Sequence, residues 1–368
     1  MEENTTDNFA RYHAMRSEIL NSLSRMAKIC EKLDLKKRTE SLMDSRRKLQ
    51  EHRFSVGIVS ELKRGKSTVI NAMLGKELIP CGVVPSPGTI NRITYGSNSH
   101  AQLLMWNGAR KAIPVENLPK YLEGLGGNLV AMLYGIIKEV VVYDPCCLCH
   151  SGVDIVETPC LNDTERKNQI TESVIPKLDA VIMLLVADNP FSGSAADFFR
   201  DNLIHLGTER LIFLVNKIDT VRPKDRDKAI NGIREKIKKT VLDKTEEEYG
   251  KESAQYRIAQ EKLADIRIYP ISALDALDGR LDGDEELLRK SGILEFEDGL
   301  SRMLTTCELS SPMMELIHTG MLVRKTIRKS RDLRRRAWTQ LDDEDYRLLE
   351  KTACASKTIL SHFSDVLT

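Results

Sequence analysis

The chain contains 368 residues, and 41% of them are hydrophobic, which is enough to bury the core of one large domain or two modest ones. Its 55 Lys and Arg residues nearly match its 54 Asp and Glu residues, so the formal net charge of +1 gives no strong case for nucleic acid as a partner. The longest apolar run, Ala180–Ala187, covers about a third of the roughly 20 residues that a membrane-spanning helix needs. The polar N-terminus MEENTTDNFARYHAM does not resemble a signal peptide. We therefore expect a cytoplasmic protein, with peripheral membrane contact as the further expectation.

One long helix is predicted for residues 9–50. No Pro or Gly occurs in residues 1–50, and apolar residues recur mainly at steps of three or four, close to a heptad seam. Such a stripe must be buried, so the helix needs a partner helix or core. The apolar positions are Phe9, Tyr12, Ile19, Leu23, Met26, Cys30 and Leu33.

A phosphate-binding loop is predicted in the segment Phe54–Gly75, FSVGIVSELKRGKSTVINAMLG. A β-branched run ends at Ser60, and Gly65-Lys66-Ser67 then opens a helix, as in a Walker A motif. Lys66 is suited to the β- and γ-phosphates, and the Ser67 hydroxyl is suited to Mg²⁺. The motif G-x-x-x-x-G-K-[ST] has Gly where this chain has Ser60, a departure that weakens the motif without destroying it.

A cluster of metal-ligating residue types follows at Cys146, Cys147, Cys149 and His150. These side chains are the ones that bind zinc. However, adjacent cysteines on a tight segment make a poor tetrahedral site, and no second Cys/His pair follows at finger spacing. We expect an ordinary loop after a strand, with all eight cysteines as free thiols.

The segment Val153–Cys160 stands where a D-x-x-G switch motif is expected. Glu157 replaces the usual Asp, and Cys160 replaces the usual Gly. Glu157 can still reach Mg²⁺, through water, although its additional methylene moves the charge. Cys160 keeps a backbone N–H for the γ-phosphate but has less conformational freedom than Gly.

Short β-branched runs alternate with polar helical stretches from Arg53 to about Cys307, which predicts an α/β fold: a three-layer sandwich with a mainly parallel sheet. The run VIMLLVA is apolar throughout, as in a central parallel strand. The charged stretch Val221–Ala264 predicts two solvated helices. The predicted strands are Phe54–Val59, Asp154–Glu157, Ala180–Ala187, Leu211–Val215 and Arg267–Ile271.

A guanine-specific motif, Asn216-Lys217-Ile218-Asp219, directly follows the strand LIFLV. The Asp219 carboxylate can accept two hydrogen bonds from the N1–H and N2–H₂ edge of guanine, a donor pair that adenine lacks. Asn216 is expected to brace the loop, and the Lys217 stem to lie over the base. Ser272-Ala273-Leu274 occupies the place of the loop whose backbone N–H meets guanine O6.

The chain is predicted to become helical again from Met313, with Pro312 where the helix begins. Residues 322–336 hold eight Lys and Arg residues, and four acidic residues follow at 342–345. Such blocks are usually solvated faces or partners in ion pairs with a neighbouring helix. A basic surface for phospholipid or nucleic acid is the alternative.

These motifs together resemble the dynamin superfamily, in particular bacterial dynamin-like proteins. The segments ELKRGKSTVINAMLG and ELIPCGVVPSPGTINRITYG are similar to the P-loop and switch I of that family, and the resemblance spans roughly residues 53–307. It implies a helical arm at 1–52, a G domain at 53–307 and a second arm at 308–368, with the arms forming a bundle. The motif order is also similar to that of ribosome-linked GTPases.

The resemblance implies GTP or GDP and Mg²⁺ as cofactors, and a set of site residues. The family's Mg²⁺-binding threonine aligns with Pro87, so Thr89 is preferred to Ser86 in that role. The expected catalytic residues are Lys63, Lys66 and Thr89, and the expected metal ligands are Ser67, Thr89 and Glu157. The expected nucleotide-binding residues are Ser60, Glu61, Leu62, Lys63, Arg64, Gly65, Lys66, Ser67, Thr68, Asn216, Lys217, Asp219, Ser272 and Ala273.

The leading interpretation is a dynamin-like GTPase that hydrolyses GTP slowly and dimerises through its G domains, with itself or with a second dynamin-like protein. The alternative is a GTP-binding scaffold without hydrolysis, paired with an active paralogue. Ser60, Pro87, Glu157 and Cys160 favour this alternative. A regulatory GTPase acting on ribosomes or RNA is a third interpretation, supported only by the basic run at 322–336.

Overall fold

The computed structural model describes residues 2–79, 90–118, 137–161, 165–188, 191–203, 210–308 and 310–352. The chain divides into two compact units. The first, called the G unit here, comprises residues 53–304, and the second, called the helical unit, comprises 3–52 together with 305–368.

The described part of the G unit contains a nine-stranded sheet whose strand order is β4-β3-β5-β2-β6-β1-β7-β8-β9. The strands are β1 (Phe54–Ser60), β2 (Ile90–Tyr95), β3 (His100–Met105), β4 (Arg110–Ile113), β5 (Ile137–Asp144), β6 (Val153–Glu157), β7 (Ala180–Val186), β8 (Leu211–Asn216) and β9 (Ile268–Pro270). The five strands predicted from the sequence correspond to β1, β6, β7, β8 and β9. The α/β fold class is confirmed.

The direction of the strands brings the sequence motifs to one edge of the sheet. Strands β6, β1, β7, β8 and β9 run parallel to one another, so their carboxyl ends meet at the same edge. Strand β2 runs antiparallel to β6, and Asn91 lies opposite Glu157 in that register. The amino end of β2 therefore lies beside the carboxyl end of β6. Because β7 is buried along its whole length, its sequence is apolar on both faces.

Helices cover the sheet and complete the layers. In the G unit they are α3 (Lys66–Leu74), α4 (Cys147–His150), α5 (Glu165–Val174), α6 (Gly193–Phe198), α7 (Arg226–Tyr249), α8 (Ala254–Ala264), α9 (Ala273–Asp282), α10 (Glu285–Lys290) and α11 (Ile293–Glu308), the last of which crosses into the helical unit. Helices α7 and α8 confirm the pair predicted for Val221–Ala264. One face of α7 nevertheless packs on the core through Ile233, Ile237 and Val241, while its other faces are solvated.

The N-terminal arm is two helices, α1 (Glu2–Lys32) and α2 (Lys36–Glu51), so the prediction of one helix over 9–50 is wrong. The break lies at Asp34, whose φ is 59°. The N–H of Asp34 donates to Glu31 O at 3.0 Å and that of Leu35 to Cys30 O at 2.8 Å, which is the Schellman arrangement. Asp tolerates the left-handed region, so the helix ends without Gly or Pro. The two helices pack, since Arg16 donates to the carbonyls of Leu49 and Gln50.

The C-terminal part of the helical unit contains α12 (Ser310–Lys329), α13 (Arg331–Gln340) and α14 (residues 343–352). Pro312 lies in the first turn of α12 rather than at its first residue. The two arms pack on each other, as predicted. Ser41 of α2 donates to Glu315 of α12 at 2.7 Å.

An ion-pair network joins α1 to the acidic block at 342–345. Arg25 binds Asp342, Glu344 and Asp345, and Lys32 binds Asp345 at 2.9 Å. The Asp345 side chain is only 3% exposed. Three of the four acidic residues in this block therefore pair with α1, in agreement with the prediction of ion pairs to a neighbouring helix. Within the described ranges, no helix is long and apolar enough to cross a membrane.

Candidate functional site

The predicted P-loop connects β1 to α3 at the carboxyl edge of the sheet. Gly65 caps the amino end of α3 with a φ of 87°, and Lys63 also has a positive φ of 61°. A Cβ added at Gly65 would lie 2.6 Å from Asn216 Nδ2, closer than atoms can approach. Gly65 is therefore required both by its backbone conformation and by the side chain packed against it.

Asn216 connects three of the predicted site segments. Its Nδ2 donates to the Arg64 carbonyl at 3.1 Å, and its Oδ1 accepts a hydrogen bond from the Ala273 N–H at 3.0 Å. The residue is 3% exposed. It ends β8, so one buried side chain ties the P-loop to the loop after β9.

The remaining residues of the predicted base-reading loops lie at the surface beside Asn216. Ile218 is buried, and its N–H donates to the Ile271 carbonyl, which leaves Lys217 and Asp219 exposed on either side of it. The Ser272 hydroxyl caps α9 by accepting from the Asp275 N–H. The N–H of Ser272 is also engaged, with the Ser291 carbonyl. In the Ser272-Ala273-Leu274 loop, where one backbone N–H is expected near guanine O6, the N–H groups of Ser272 and Ala273 are thus hydrogen-bonded within the protein.

A carboxylate faces the start of α3 across the end of β6. Glu157 Oε1 accepts from the Ser67 hydroxyl at 3.2 Å and lies 3.9 Å from Lys66 Nζ. Lys66 Nζ also contacts Cys160 Sγ at 3.4 Å. Lys66 and Glu157 are both buried. The two residues that replace the usual Asp and Gly of the switch therefore both contact the P-loop lysine.

These oxygen donors suit a magnesium ion. Mg²⁺ is usually held by one or two carboxylates or hydroxyls together with phosphate oxygens and waters, and not by a cage of protein ligands. Ser67 and Glu157 supply one hydroxyl and one carboxylate, 3.2 Å apart. Among the described residues, no cluster of three His, Cys, Asp or Glu side chains could hold a metal alone.

Asn91 is a functional candidate that the sequence analysis missed. Its Nδ2 donates to Glu157 Oε2 at 2.8 Å, while its buried Oδ1 has no hydrogen-bond partner among the described residues. The residue is 2% exposed. A buried amide oxygen without a partner is costly, and here it lies beside the proposed metal carboxylate. The available signal was the alternation in INRITY, which places Asn91 on the same face of the strand as the buried Ile93.

Glu61 links the P-loop to the amino end of α6. Its carboxylate accepts from the hydroxyls of Ser192 and Ser194 and pairs with Arg64. Burial opposes ionisation of Glu61, but the hydrogen bonds from Ser192 and Arg64 outweigh it and lower its pKa. Ser192 and Ser194 were also missed, because their distance from Glu61 along the chain does not predict these hydrogen bonds.

The remaining predicted site residues are four residues of the P-loop segment and Thr89. Leu62 and Lys63 are exposed at the tip of the P-loop, and Ser60 and Thr68 lie at its two ends. The Ser60 hydroxyl is buried and has no hydrogen-bond partner in the part of the chain that the structure describes. Thr89, with Pro87 and Ser86, lies outside the described residues.

The cysteine cluster lies away from these residues. Cys147–His150 form the short helix α4, where a loop was expected, and follow the carboxyl end of β5. Strand β5 is parallel to β2 and so opposite in direction to β1 and β6, which puts the cluster at the other edge of the sheet. The Cys149 thiol donates a hydrogen bond to Cys146, and this bond, together with burial, raises the pKa of Cys149.

Comparisons with known proteins agree with the motifs. A model described as the dynamin family matches residues 56–218. An uncharacterized protein in the xynA 3' region of Caldicellulosiruptor sp. is 26% identical over 294 residues, which cover 80% of this chain and 67% of the relative. The bacterial dynamin-like protein of Nostoc punctiforme is 24% identical over 287 residues, which cover 74% of this chain but only 40% of the relative.

A solved structure supports the fold. The chain is similar, with a TM-score of 0.60 and 18% identity, to a protein from an oligomerised bacterial dynamin pair described as a mechanism for long-range sensing and tethering of membranes. The match covers 96% of this chain and 63% of that one. The chain thus spans less than two thirds of this neighbour's length and less than half of the Nostoc relative's.

Proposed function

We propose that the chain, which the dynamin family model matches over residues 56–218, is a dynamin-like GTPase that binds GTP with Mg²⁺ and hydrolyses it slowly. The further parts of the proposal are that GTP controls pairing of G units and that the pairing moves the helical arms at a membrane surface. The partner is a second copy of this chain or another dynamin-like protein.

The observation that carries the nucleotide proposal is the position of Asn216. The buried Asn216 amide hydrogen-bonds to the P-loop and to the loop after β9, so it joins segments that lie 152 and 57 residues away along the chain. The exposed Asp219 carboxylate stands next to this brace and is available to guanine. Joining these two loops through one side chain is the arrangement expected if both loops contact the same nucleotide.

The phosphate chemistry is assigned to the residues at the start of α3. The Lys66 ammonium would contact the β- and γ-phosphates, and the backbone N–H groups of the P-loop would cradle them. Ser67 and Glu157 would hold Mg²⁺, which when bound neutralises charge on the phosphate oxygens. Lys66 would then exchange its present contact with Cys160 for a phosphate contact.

Catalysis is assigned to Lys63 in a paired state. Lys63 is exposed and holds a positive φ of 61°, a conformation that costs a non-glycine residue energy and that occurs more often at functional sites. A second G unit placed over the P-loop would exclude water around this cation. Its attraction for the charge that develops on the transferred phosphoryl group would then increase.

The second candidate function is GTP binding without turnover. Cys160 and Glu157 both contact Lys66, and both depart from the usual switch residues. A side chain in place of glycine restricts the rearrangement of the switch, so the γ-phosphate can be bound without being cleaved. The helical arms would then respond to binding alone.

The first experiment measures GTP affinity and turnover over a range of protein concentrations. Turnover per molecule that rises with concentration supports the paired mechanism. Lys66→Ala should abolish tight GTP binding, while Lys290→Ala, an exposed lysine on α10, should not. Micromolar GTP affinity in Lys66→Ala would contradict the site.

The second experiment separates the enzyme from the scaffold. Glu157→Asp and Cys160→Gly are introduced together, and turnover is compared with that of the unmodified chain. Increased turnover from a measurable basal rate supports a slow enzyme. Binding without any turnover in the unmodified chain, with activity gained in the variant, supports the scaffold.

A further inference from the structure

Helix α13 has an unusual outward surface. Residues 331, 334, 335 and 338 fall within one face of an α-helix, because they are spaced by three and four positions. In this chain they are Arg331, Arg334, Arg335 and Trp338, and all four are exposed. We call this set the Arg/Trp face.

The orientation of α13 is fixed by its other side. Ala337 is 1% exposed and Leu341, just after the helix, is 9% exposed, so the apolar side is packed within the helical unit. Ser330 caps the amino end by accepting from the Leu333 N–H at 3.3 Å. The Arg/Trp face therefore points to solvent as a consequence of packing.

The positive charge on this face is not neutralised. Within the described part of the chain, none of the three arginines forms an ion pair, and Arg334 donates only to the Arg328 carbonyl. Of the acidic residues that follow at 342–345, Asp342, Glu344 and Asp345 are paired with Arg25 of α1, and none of the four forms an ion pair with α13 in the described part of the chain. The one acid on the helix itself, Asp332, lies to the side of the face and forms no ion pair with the described residues.

Trp338 is 84% exposed, whereas the other large hydrophobic side chains exposed in the described residues range from 38% to 59%. An indole ring in water gains free energy when its apolar body is buried while its N–H remains hydrated. The boundary between headgroups and hydrocarbon in a lipid bilayer supplies both environments.

We propose that the Arg/Trp face of α13 docks on an anionic phospholipid bilayer, with Trp338 inserted at the headgroup boundary and the three arginines bound to lipid phosphates. Guanidinium groups bind phosphate through paired hydrogen bonds, and basic residues near an anionic surface are attracted to it. This docking proposal rests on the membrane part of the proposed function and names the surface that would carry it. It does not depend on GTP hydrolysis.

Nucleic acid fits the face less well. Arginine can read guanine in the major groove, but the face has none of the Asn, Gln, Asp or Glu side chains that read adenine and cytosine. Stacking of single-stranded bases usually takes place along a positively charged groove, whereas α13 presents a convex helical surface.

The test is flotation of the full chain with two kinds of vesicle, one of phosphatidylcholine alone and one of equal parts phosphatidylcholine and phosphatidylglycerol. The chain should bind only the second kind. Changing Arg331, Arg334 and Arg335 together to Gln should weaken binding roughly 100-fold, because each basic residue near the surface contributes about a fivefold factor. The matched control changes the exposed lysines Lys228, Lys236 and Lys239 of α7 to Gln and should leave binding unchanged.

The second readout is fluorescence of Trp338. The chain has two tryptophans, so Trp106→Phe leaves Trp338 as the only one. Its emission should shift to shorter wavelength on anionic vesicles and be quenched by lipids brominated on their acyl chains. Far-ultraviolet circular dichroism establishes that the arginine variant keeps its helices.

Three outcomes would overturn the proposal. If the unmodified chain binds neither vesicle, the face and the membrane part of the proposed function both fail. If binding to anionic vesicles is unchanged in the folded arginine variant, only the face fails. If the arginines are needed for binding an RNA or DNA oligonucleotide while vesicles are not bound, the surface is a nucleic-acid site.

Discussion

Asn91 and Glu157 meet through their side chains at the point where β2 and β6 run antiparallel: Asn91 Nδ2 donates to Glu157 Oε2 at 2.8 Å. The other carboxylate oxygen, Oε1, accepts from Ser67. Both carboxylate oxygens are therefore held, which limits the rotation that the additional methylene of Glu would otherwise allow. Asn91 thus has the position of a residue that orients the proposed Mg²⁺ carboxylate.

Asn91→Ala is expected to weaken GTP binding in the presence of Mg²⁺ by about 10- to 100-fold, because loss of a hydrogen bond to a buried charged group costs about 1.5–3 kcal/mol. The measurement is a GTP titration at several Mg²⁺ concentrations and in EDTA. The effect should disappear in EDTA, since a residue that only supports the fold would lower affinity in both conditions.

The matched background for this test is Glu157→Asp. Its shorter side chain withdraws the carboxylate from Asn91, so Asn91→Ala should then have a smaller effect. An effect of equal size in both backgrounds would mean that Asn91 does not act through Glu157.

Asp219→Asn is expected to change the preferred nucleotide from GTP to XTP. The exposed carboxylate is replaced by an amide that offers donors where guanine also offers donors, while the xanthine carbonyl can accept from the amide. The affinity for GTP should fall about 10-fold or more, because leaving the guanine donors unpaired costs roughly 1–3 kcal/mol. Competition between the two nucleotides measures it. Asp225→Asn, an exposed carboxylate paired with Arg222, is the control and should keep the preference for GTP.

Gly320→Ala is expected to destabilise the helical unit although Ala normally favours helix. A Cβ at Gly320 of α12 would lie 2.2 Å from Thr352 Oγ1 and 3.2 Å from Met26 Cε, so α1, α12 and α14 would have to separate. Overpacking of this kind costs about 1–3 kcal/mol. Chemical denaturation followed by circular dichroism provides the measurement.

The control for Gly320 is Gly232→Ala in α7. A Cβ at Gly232 meets nothing within 4 Å, so only helix propensity changes, and the variant should gain about 0.5–1 kcal/mol. If both substitutions stabilise the chain, the close packing at Gly320 is contradicted.

The Arg25 network is expected to make the helical unit sensitive to acid. The N–H of Asp345 and the Arg25 guanidinium lower the pKa of Asp342, so the ionised form is favoured in the folded chain. This stabilisation is fully present above the ordinary Asp pKa of about 4 and is lost as pH falls through the lowered folded pKa. Thermal melting at neutral and acidic pH measures it.

Arg25→Ala should lower the melting temperature at neutral pH. On acidification, the melting temperature of this variant should fall less than that of the unmodified chain. The control is Lys351→Ala, which removes only the exposed pair with Glu18, whose side chains are 74% and 66% exposed. Such pairs contribute little, so its melting should hardly change. Equal melting of the two variants would mean that the network is not a stabilising contact.

The sequence by itself determined the fold class and the position of the main motifs. The apolar strands and the P-loop at Gly65-Lys66-Ser67 are local patterns, because strand burial and helix capping depend on residues a few positions apart. Arm packing was also predictable, since an amphipathic stripe requires a partner. The proposed role of Asp219 in base recognition also rests on sequence alone, because it depends on the chemistry of a carboxylate within a four-residue motif.

Only the tertiary structure decided which side chains support these motifs. Asn91 and Glu157 are 66 residues apart, and Asn216 and Arg64 are 152 residues apart, and no sequence spacing predicts such contacts. The break at Asp34 was missed because whether a helix continues or ends depends on what its apolar stripe packs against. Asp tolerates the left-handed conformation, so packing can end the helix there without Gly or Pro. The lack of ion pairs on the Arg/Trp face of α13 was likewise decided by tertiary contacts. The acidic block that follows α13 pairs with Arg25, more than three hundred residues earlier in the chain.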